Sequence, residues 1–129
     1  MGAAIALLGE AAPTGRGRRI AVLGDMRELG ATAPVLHAAL RQPLEEARVD
    51  RVFLAGPLMG ALWDALPSHL KGGYGEHAGE IEEALVTAIA PGDVVMVKGS
   101  NASRMGGLVE ALQRRLGAKS PAAAEEDAA

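Results

Sequence analysis

Four short stretches carry the residues able to do chemistry: Gly24-Asp25-Met26, Ala55-Gly56-Pro57, Glu76-His77 and Lys98-Gly99-Ser100. Each follows an apolar run or a weak strand signal and precedes a loop or helical pattern. In open α/β sheets, ligands sit beyond the carboxyl ends of the strands, where loops converge and the following helices point their positive dipole ends inward. A carboxylate, an imidazole and an ammonium would then line one rim. Val97-Lys98-Gly99-Ser100-Asn101 is the strongest local feature. Its small residues let the backbone approach a ligand, the N–H groups of the helix start attract an anion, and Lys98 adds charge, so a phosphate or carboxylate suits it. A plainer reading stands beside this one, because a lysine at a strand end is often solvated and Gly-Ser before a helix is often a cap. Asp25 reads equally as a cap or turn former, and Glu28 as a solvated loop charge. His37 and His77 lack the partner spacing of a metal site.

What the chain lacks narrows the chemistry further. Gly15-Arg16-Gly17 precedes its apolar run instead of following it, so the dinucleotide fingerprint fails, and no Gly-x-x-x-x-Gly-Lys-Ser/Thr loop is present to cradle ATP phosphates. With no Gly-x-Ser-x-Gly elbow and no set of nucleophile, base and orienting residue, no residue receives a catalytic role and none a metal. The formal charge of −3, with both signs mixed along the chain, opposes a nucleic-acid surface. The absence of cysteine excludes disulfides and thiol chemistry and fits a reducing compartment, with the cytoplasm as the default. No apolar run approaches the roughly 18 residues that a membrane span requires.

The elements that must position these residues follow from hydrophobic period and punctuation. A chain of 129 residues is one domain's worth. Its residues are 49% apolar but only 2% aromatic, so the core must be built from Ala, Val, Leu and Ile around Phe53, Trp63 and Tyr74 as isolated bulky pieces. Residues 3–10 read as a helix, Arg19–Gly24 as a strand buried on both faces, and 33–48 as a helix with Thr32 as cap and Pro43 as a kink or break. Strands at Arg51–Ala55, weakly near 74–77, and at 93–98 then alternate with helices at 58–66, 80–89 and 103–116. This alternation predicts right-handed βαβ units and hence a three-layer α/β/α, Rossmann-like domain with a mainly parallel sheet over residues 1–116. Residues 117–129 (GAKSPAAAEEDAA) hold no bulky apolar anchor and are expected to form a disordered Ala/Glu-rich tail.

At residues 20–30 the sequence IAVLGDMRELG closely resembles Val-Leu-Gly-Asp-Met-x-Glu-Leu-Gly, a characteristic string in the third domain of MurF-type Mur ligases. Other resemblances follow in the same order: Leu36-His37, Val49-Asp50-Arg51-Val52, Gly75-Glu76-His77, Pro91-Gly92-Asp93-Val94-Val95, and Val97-Lys98-Gly99-Ser100 with Met105. Two departures stand out: Gly106-Gly107 occupy the place of a usual acidic residue, and Asn101 stands where arginine is common. The family's third domain also begins with a strand and an Asn-Ala-Asn-Pro-type loop upstream of the helix at 3–10, so the first family strand is expected to be missing and a sheet edge left open.

The resemblance implies the C-terminal, substrate-binding domain of an ATP-dependent peptide ligase that adds D-alanyl-D-alanine to UDP-N-acetylmuramoyl-tripeptide in peptidoglycan precursor synthesis. ATP and Mg would be bound mainly by the central domain of the full-length enzyme, with none held tightly here. The partners would be those two substrates and, within the same molecule, the other ligase domains, with neither nucleic acid nor membrane. The substrate-binding residues it implies are Asp25, Met26, Glu28 and Leu29 in one loop and Lys98, Gly99, Ser100, Asn101 and Ser103 in a second. The isolated domain is expected to be inactive. The alternative is a stand-alone α/β regulatory module that binds a small anion or nucleotide at residues 98–101 without catalysis.

Overall fold

A computed structural model describes residues 2–11, 15, 17–25, 38–90, 92–100, 105–116 and 122–127. Its elements, in chain order, are α1 (Gly2–Glu10), β1 (Arg19–Gly24), α2 (Arg41–Glu46), β2 (Arg51–Ala55), α3 (Gly60–Ala65), β3 (Lys71–Gly75), α4 (Ala78–Ala88), β4 (Val94–Ser100), α5 (Met105–Leu116) and β5 (Ala122–Asp127). Short 3₁₀ turns at Pro57–Met59 and Ser68–Leu70 lead into α3 and β3.

The strands pair in the order β3-β2-β1-β4-β5, and every pairing is parallel. Alternate residues of each inner strand point to opposite faces, and the core divides accordingly. Ala21, Leu23, Val52, Leu54 and Met96 pack with Ile5 and Leu8 of α1, Leu44 of α2 and Leu62 of α3. Ile20, Val22, Phe53, Val95 and Val97 pack with Ile81 and Leu85 of α4 and Leu108 and Leu112 of α5. Helices therefore cover both faces, as the sequence predicted. Continuously apolar strands are what a doubly covered parallel sheet needs, since neither face meets water.

Several boundaries differ from expectation for identifiable reasons. The third strand runs over Lys71–Gly75, earlier than the weak signal near 74–77. Gly72 and Gly73 give it no β-propensity, but their missing side chains leave room for the Phe53 ring, which a Cβ on Gly72 would meet at 2.7 Å. Pro43 is the third residue of α2, in the first turn, where a missing N–H breaks no intrahelical bond; Thr32 lies outside the described residues. Ala122–Asp127 forms β5 along the outer edge of β4, because ladder hydrogen bonds come from the main chain and need no bulky side chain. Among the described strands the sheet thus ends on β3 and β5. No described helix is long and apolar enough to cross a membrane.

Candidate functional site at the sheet rim

The chain builds β1, β2 and β3 in one direction and then returns to place β4 on the other side of β1. This reversal makes the carboxyl ends of β1 and β4 the topological switch point, the place at which open α/β sheets generally take ligands. Leu23 of β1 is in register with Lys98 of β4, and continuing that register sets Gly24 and Asp25 level with Gly99 and Ser100. The two segments singled out from the sequence therefore flank the switch point. Lys98 is half-buried and Gly99 buried. Met26, Glu28, Leu29, Asn101 and Ser103 lie outside the described residues.

Asp25 is a buried carboxylate, only 8% exposed, directly after β1. Its main-chain N–H donates to Ala55 O at 3.2 Å, extending the β1–β2 ladder by one bond. Its Oδ1 accepts the Met59 N–H at 3.0 Å. Met59 closes the 3₁₀ turn that starts α3, so Asp25 caps a helix start as the plainer reading allowed, but the helix is the one after the neighbouring strand. Gly56 makes this approach possible. Its φ of +119° is a conformation that side chains rarely adopt, and a Cβ there would fall 2.3 Å from Asp25 Cγ.

A third strand end joins the brace. Gly56 N–H donates to Gly75 O at 2.9 Å, and the Tyr74 hydroxyl donates to Gly56 O at 3.2 Å. The Tyr74 ring stacks on Trp63 with centroids 5.8 Å apart, and Lys71 Nζ sits 5.2 Å from the Trp63 centroid. Burial pushes the Tyr74 hydroxyl above its ordinary pKa, and the carboxylates of Glu76, Asp25, Asp64 and Glu80 push it the same way. Sequence reasoning put Gly56 at a strand end without giving it a role, and gave none to Met59 or Tyr74. The Ala-Gly-Pro at the end of β2 was the available signal for a special backbone conformation, whereas nothing in the sequence announced the contact from Tyr74.

His77 begins α4 with its N–H donating to Glu80 Oε1 at 3.1 Å, and its side chain is exposed. Among the described residues no group of three or more His, Cys, Asp or Glu could hold a metal. A cleft of about 430 Å³ opens elsewhere, between the amino ends of β2 and β3 and the last turns of α4, lined by Arg51, Phe53, Lys71, Glu83 and Thr87 among others. It lies at the foot of the strands, away from the rim. Arg51, one of its two cations, is fixed there by the carbonyls of Asp50 and His69.

The parallel sheet with helices on both faces defines a Rossmann-like α/β domain whose switch point lies between β1 and β4. Residues 1–101 match the family described as "Mur ligase, glutamate ligase domain", which is more than half of the chain. The chain belongs to the Mur ligase family. It is 36% identical over 103 residues to the UDP-N-acetylmuramoyl-tripeptide–D-alanyl-D-alanine ligase of Escherichia coli (strain K12), a match covering 75% of this chain and 21% of that protein. The crystal structure of MurF ligase from Thermotoga maritima in complex with ADP superposes with a TM-score of 0.63 at 26% identity, over 78% of this chain and 22% of that one. MurF from Acinetobacter baumannii gives a TM-score of 0.70 at 22% identity, over 88% and 25% of the two chains, a likeness of fold. The chain thus spans about a fifth of the length of the curated relative it matches.

Proposed function

We propose that this chain is the C-terminal, substrate-positioning domain of an ATP-dependent peptide ligase that joins D-alanyl-D-alanine to UDP-N-acetylmuramoyl-tripeptide in the cytoplasm. The observation that carries the reading is the switch point. The carboxyl ends of β1 and β4 run side by side there, Leu23 in register with Lys98, within a chain matched to the family over residues 1–101, and the family's residue types follow both ends in the sequence. Asp25, Met26, Glu28 and Leu29 belong to the first loop, and Lys98, Gly99, Ser100, Asn101 and Ser103 to the second. The domain is taken to extend over residues 1–116.

The role that suits these residues is orientation. Holding the dipeptide amine against an activated carboxyl group replaces an encounter between free molecules by a positioned one, and closing the rim over the reacting atoms excludes water from a hydrolysable intermediate. By the same reading ATP and Mg are bound mainly by the central domain of the full-length enzyme, in keeping with a sequence that has no phosphate-cradling glycine loop of its own. On this reading the isolated chain does not turn over ATP.

The test adds the chain to a protein carrying the remaining ligase domains and follows phosphate release with UDP-N-acetylmuramoyl-tripeptide and D-alanyl-D-alanine. Dipeptide-dependent ligation that Lys98→Ala reduces is the expected result. ATP turnover by the chain alone, or ligation indifferent to Lys98, would overturn the proposal.

A further inference from the structure

The last strand is one that its own sequence does not favour. β5 reads AAAEED, and Ala, Glu and Asp are depleted from strands because they fit a pleated, half-buried surface poorly. Among the described strands it pairs with β4 alone, and parallel pairing is the weaker kind per residue. Segments held this way open at low free energy while the core stays folded.

Its register is nevertheless specific. Val95, Met96 and Val97 of β4 pair with Ala122, Ala123 and Ala124, whereas Lys98 pairs with Glu125, Gly99 with Glu126 and Ser100 with Asp127. The neutral half of the segment thus runs along the apolar half of β4. The three consecutive acids run along Lys98-Gly99-Ser100, where β4 contributes its one charged residue and ends at the switch point. A shift of the pairing by three residues towards the amino end of β4 would set those acids against Val95, Met96 and Val97.

We propose that Ala122–Asp127 is a detachable acidic strap that occupies the rim end of β4 and competes there with an anionic ligand. The inference rests on the reading of residues 98–100 as an anion-binding rim. A segment tethered to α5 through residues 117–121 acts at a high effective concentration, so a weak pairing suffices for it to compete. If the strap is released in about a tenth of molecules, the apparent affinity for the anion falls about tenfold. An anion reaching the rim would, by the same linkage, favour release of the strap.

Two measurements test this on the 129-residue chain, on a chain ending at Leu116, and on the 129-residue variant E125Q/E126Q/D127N. Hydrogen exchange at the amides of β4 reads docking, and titration with inorganic pyrophosphate at low salt reads competition. Removing the tail should speed exchange in β4. Removing or neutralising it should tighten pyrophosphate binding by about threefold to tenfold, a gain that should vanish near about 0.5 M salt. A charge-matched control, E10Q/E46Q/E110Q at three exposed acids, should not show the gain. Unchanged β4 exchange on deletion would overturn the strap itself. Equal affinities in all chains, or an equal gain in the control, would overturn the competition. Faster exchange without pyrophosphate binding by any chain would also overturn it, and would locate the failure in the anion reading of the rim.

Discussion

Adding one methyl group at Gly56 should be among the most damaging small changes this domain can suffer, and the structure gives the size. The new Cβ would fall 2.3 Å from both Cγ and Oδ1 of Asp25 and 2.7 Å from Oδ2, where non-bonded carbons need about 3.5 Å or more. Asp25 has little room to give way, since it is 8% exposed and its Oδ1 holds the Met59 N–H at 3.0 Å. Clearing the clash means surrendering that charge-assisted bond, about 1.5–3 kcal/mol. The φ of +119° adds strain of about 1–3 kcal/mol for any residue with a side chain. Gly56→Ala should therefore cost about 3–5 kcal/mol, a large part of the total stability of an ordinary domain. Gly79→Ala is the control: it adds the same methyl group in α4, nothing lies within 4 Å, and helix propensity predicts a gain of up to about 1 kcal/mol. Urea unfolding followed by the single tryptophan, Trp63, measures both. The Gly56→Ala midpoint should drop by about 1–3 M. In an Asp25→Ala background the clash is gone, and the same substitution should cost only its strain. A Gly56→Ala variant within about 0.5 kcal/mol of the parent, or one equally damaging with and without Asp25, would refute the reasoning.

Two further perturbations probe opposite ends of the sheet. Tyr74 is the only tyrosine, so absorbance at high pH reports it alone; it should ionise above its ordinary pKa of 10.0, because burial and then Glu76, Asp25, Asp64 and Glu80 disfavour the phenolate. The unfolded chain releases that proton first, so the contribution to stability is complete below about pH 10 and is lost as pH rises through the folded value; Tyr74→Phe should flatten that alkaline decline, and a midpoint below 10 in the titration would contradict the site geometry. At the foot, Asp93 is 2% exposed and accepts the Arg18 N–H at 2.8 Å and the Ala90 N–H at 2.9 Å. Asp93→Ala strands both donors and should cost about 2–4 kcal/mol in urea unfolding; a loss under about 1 kcal/mol would show that water replaces the carboxylate.

How much of this could be read from the sequence depends on where the determining contacts lie. β1, β2 and β4 were legible because their burial on both faces is written in their own residues, RIAVLG, RVFLA and VVMVKGS. β3 was misplaced because KGGYG takes its position from a neighbour: Phe53 of β2 fills the space over its glycines. β5 was missed because a strand held by main-chain bonds to an open edge leaves almost no side-chain signature. At the rim the residue types were legible and the partners were not. Asp25 could be recognised as a cap, but its target, Met59, follows a different strand, and the Tyr74 hydroxyl that completes the brace arrives from a third.

The two ends of the sheet put their charges to different use, and the difference separates stability from recognition. At the foot, carboxylates and guanidiniums saturate main-chain groups: Asp50 takes the Arg19 N–H, Asp93 takes those of Arg18 and Ala90, and Arg19 holds the carbonyls of Leu8 and Ala11 at the end of α1. Such bonds tie the starts of β1, β2 and β4 to one another, and because strands in a parallel sheet all start at one end, they help to set the register of these three. At the rim, Asp25 is used in the same way, taking the Met59 N–H after β2, while Glu76 and His77 remain exposed. A scaffold locked from below can carry loops that change partners above. Substitutions at Asp50, Asp93 or Arg19 should then lower the folded fraction and leave the affinity of the folded molecules for a rim ligand unchanged, whereas Gly56 and Asp25 couple the two, since the same brace both stabilises the sheet and aims the loop.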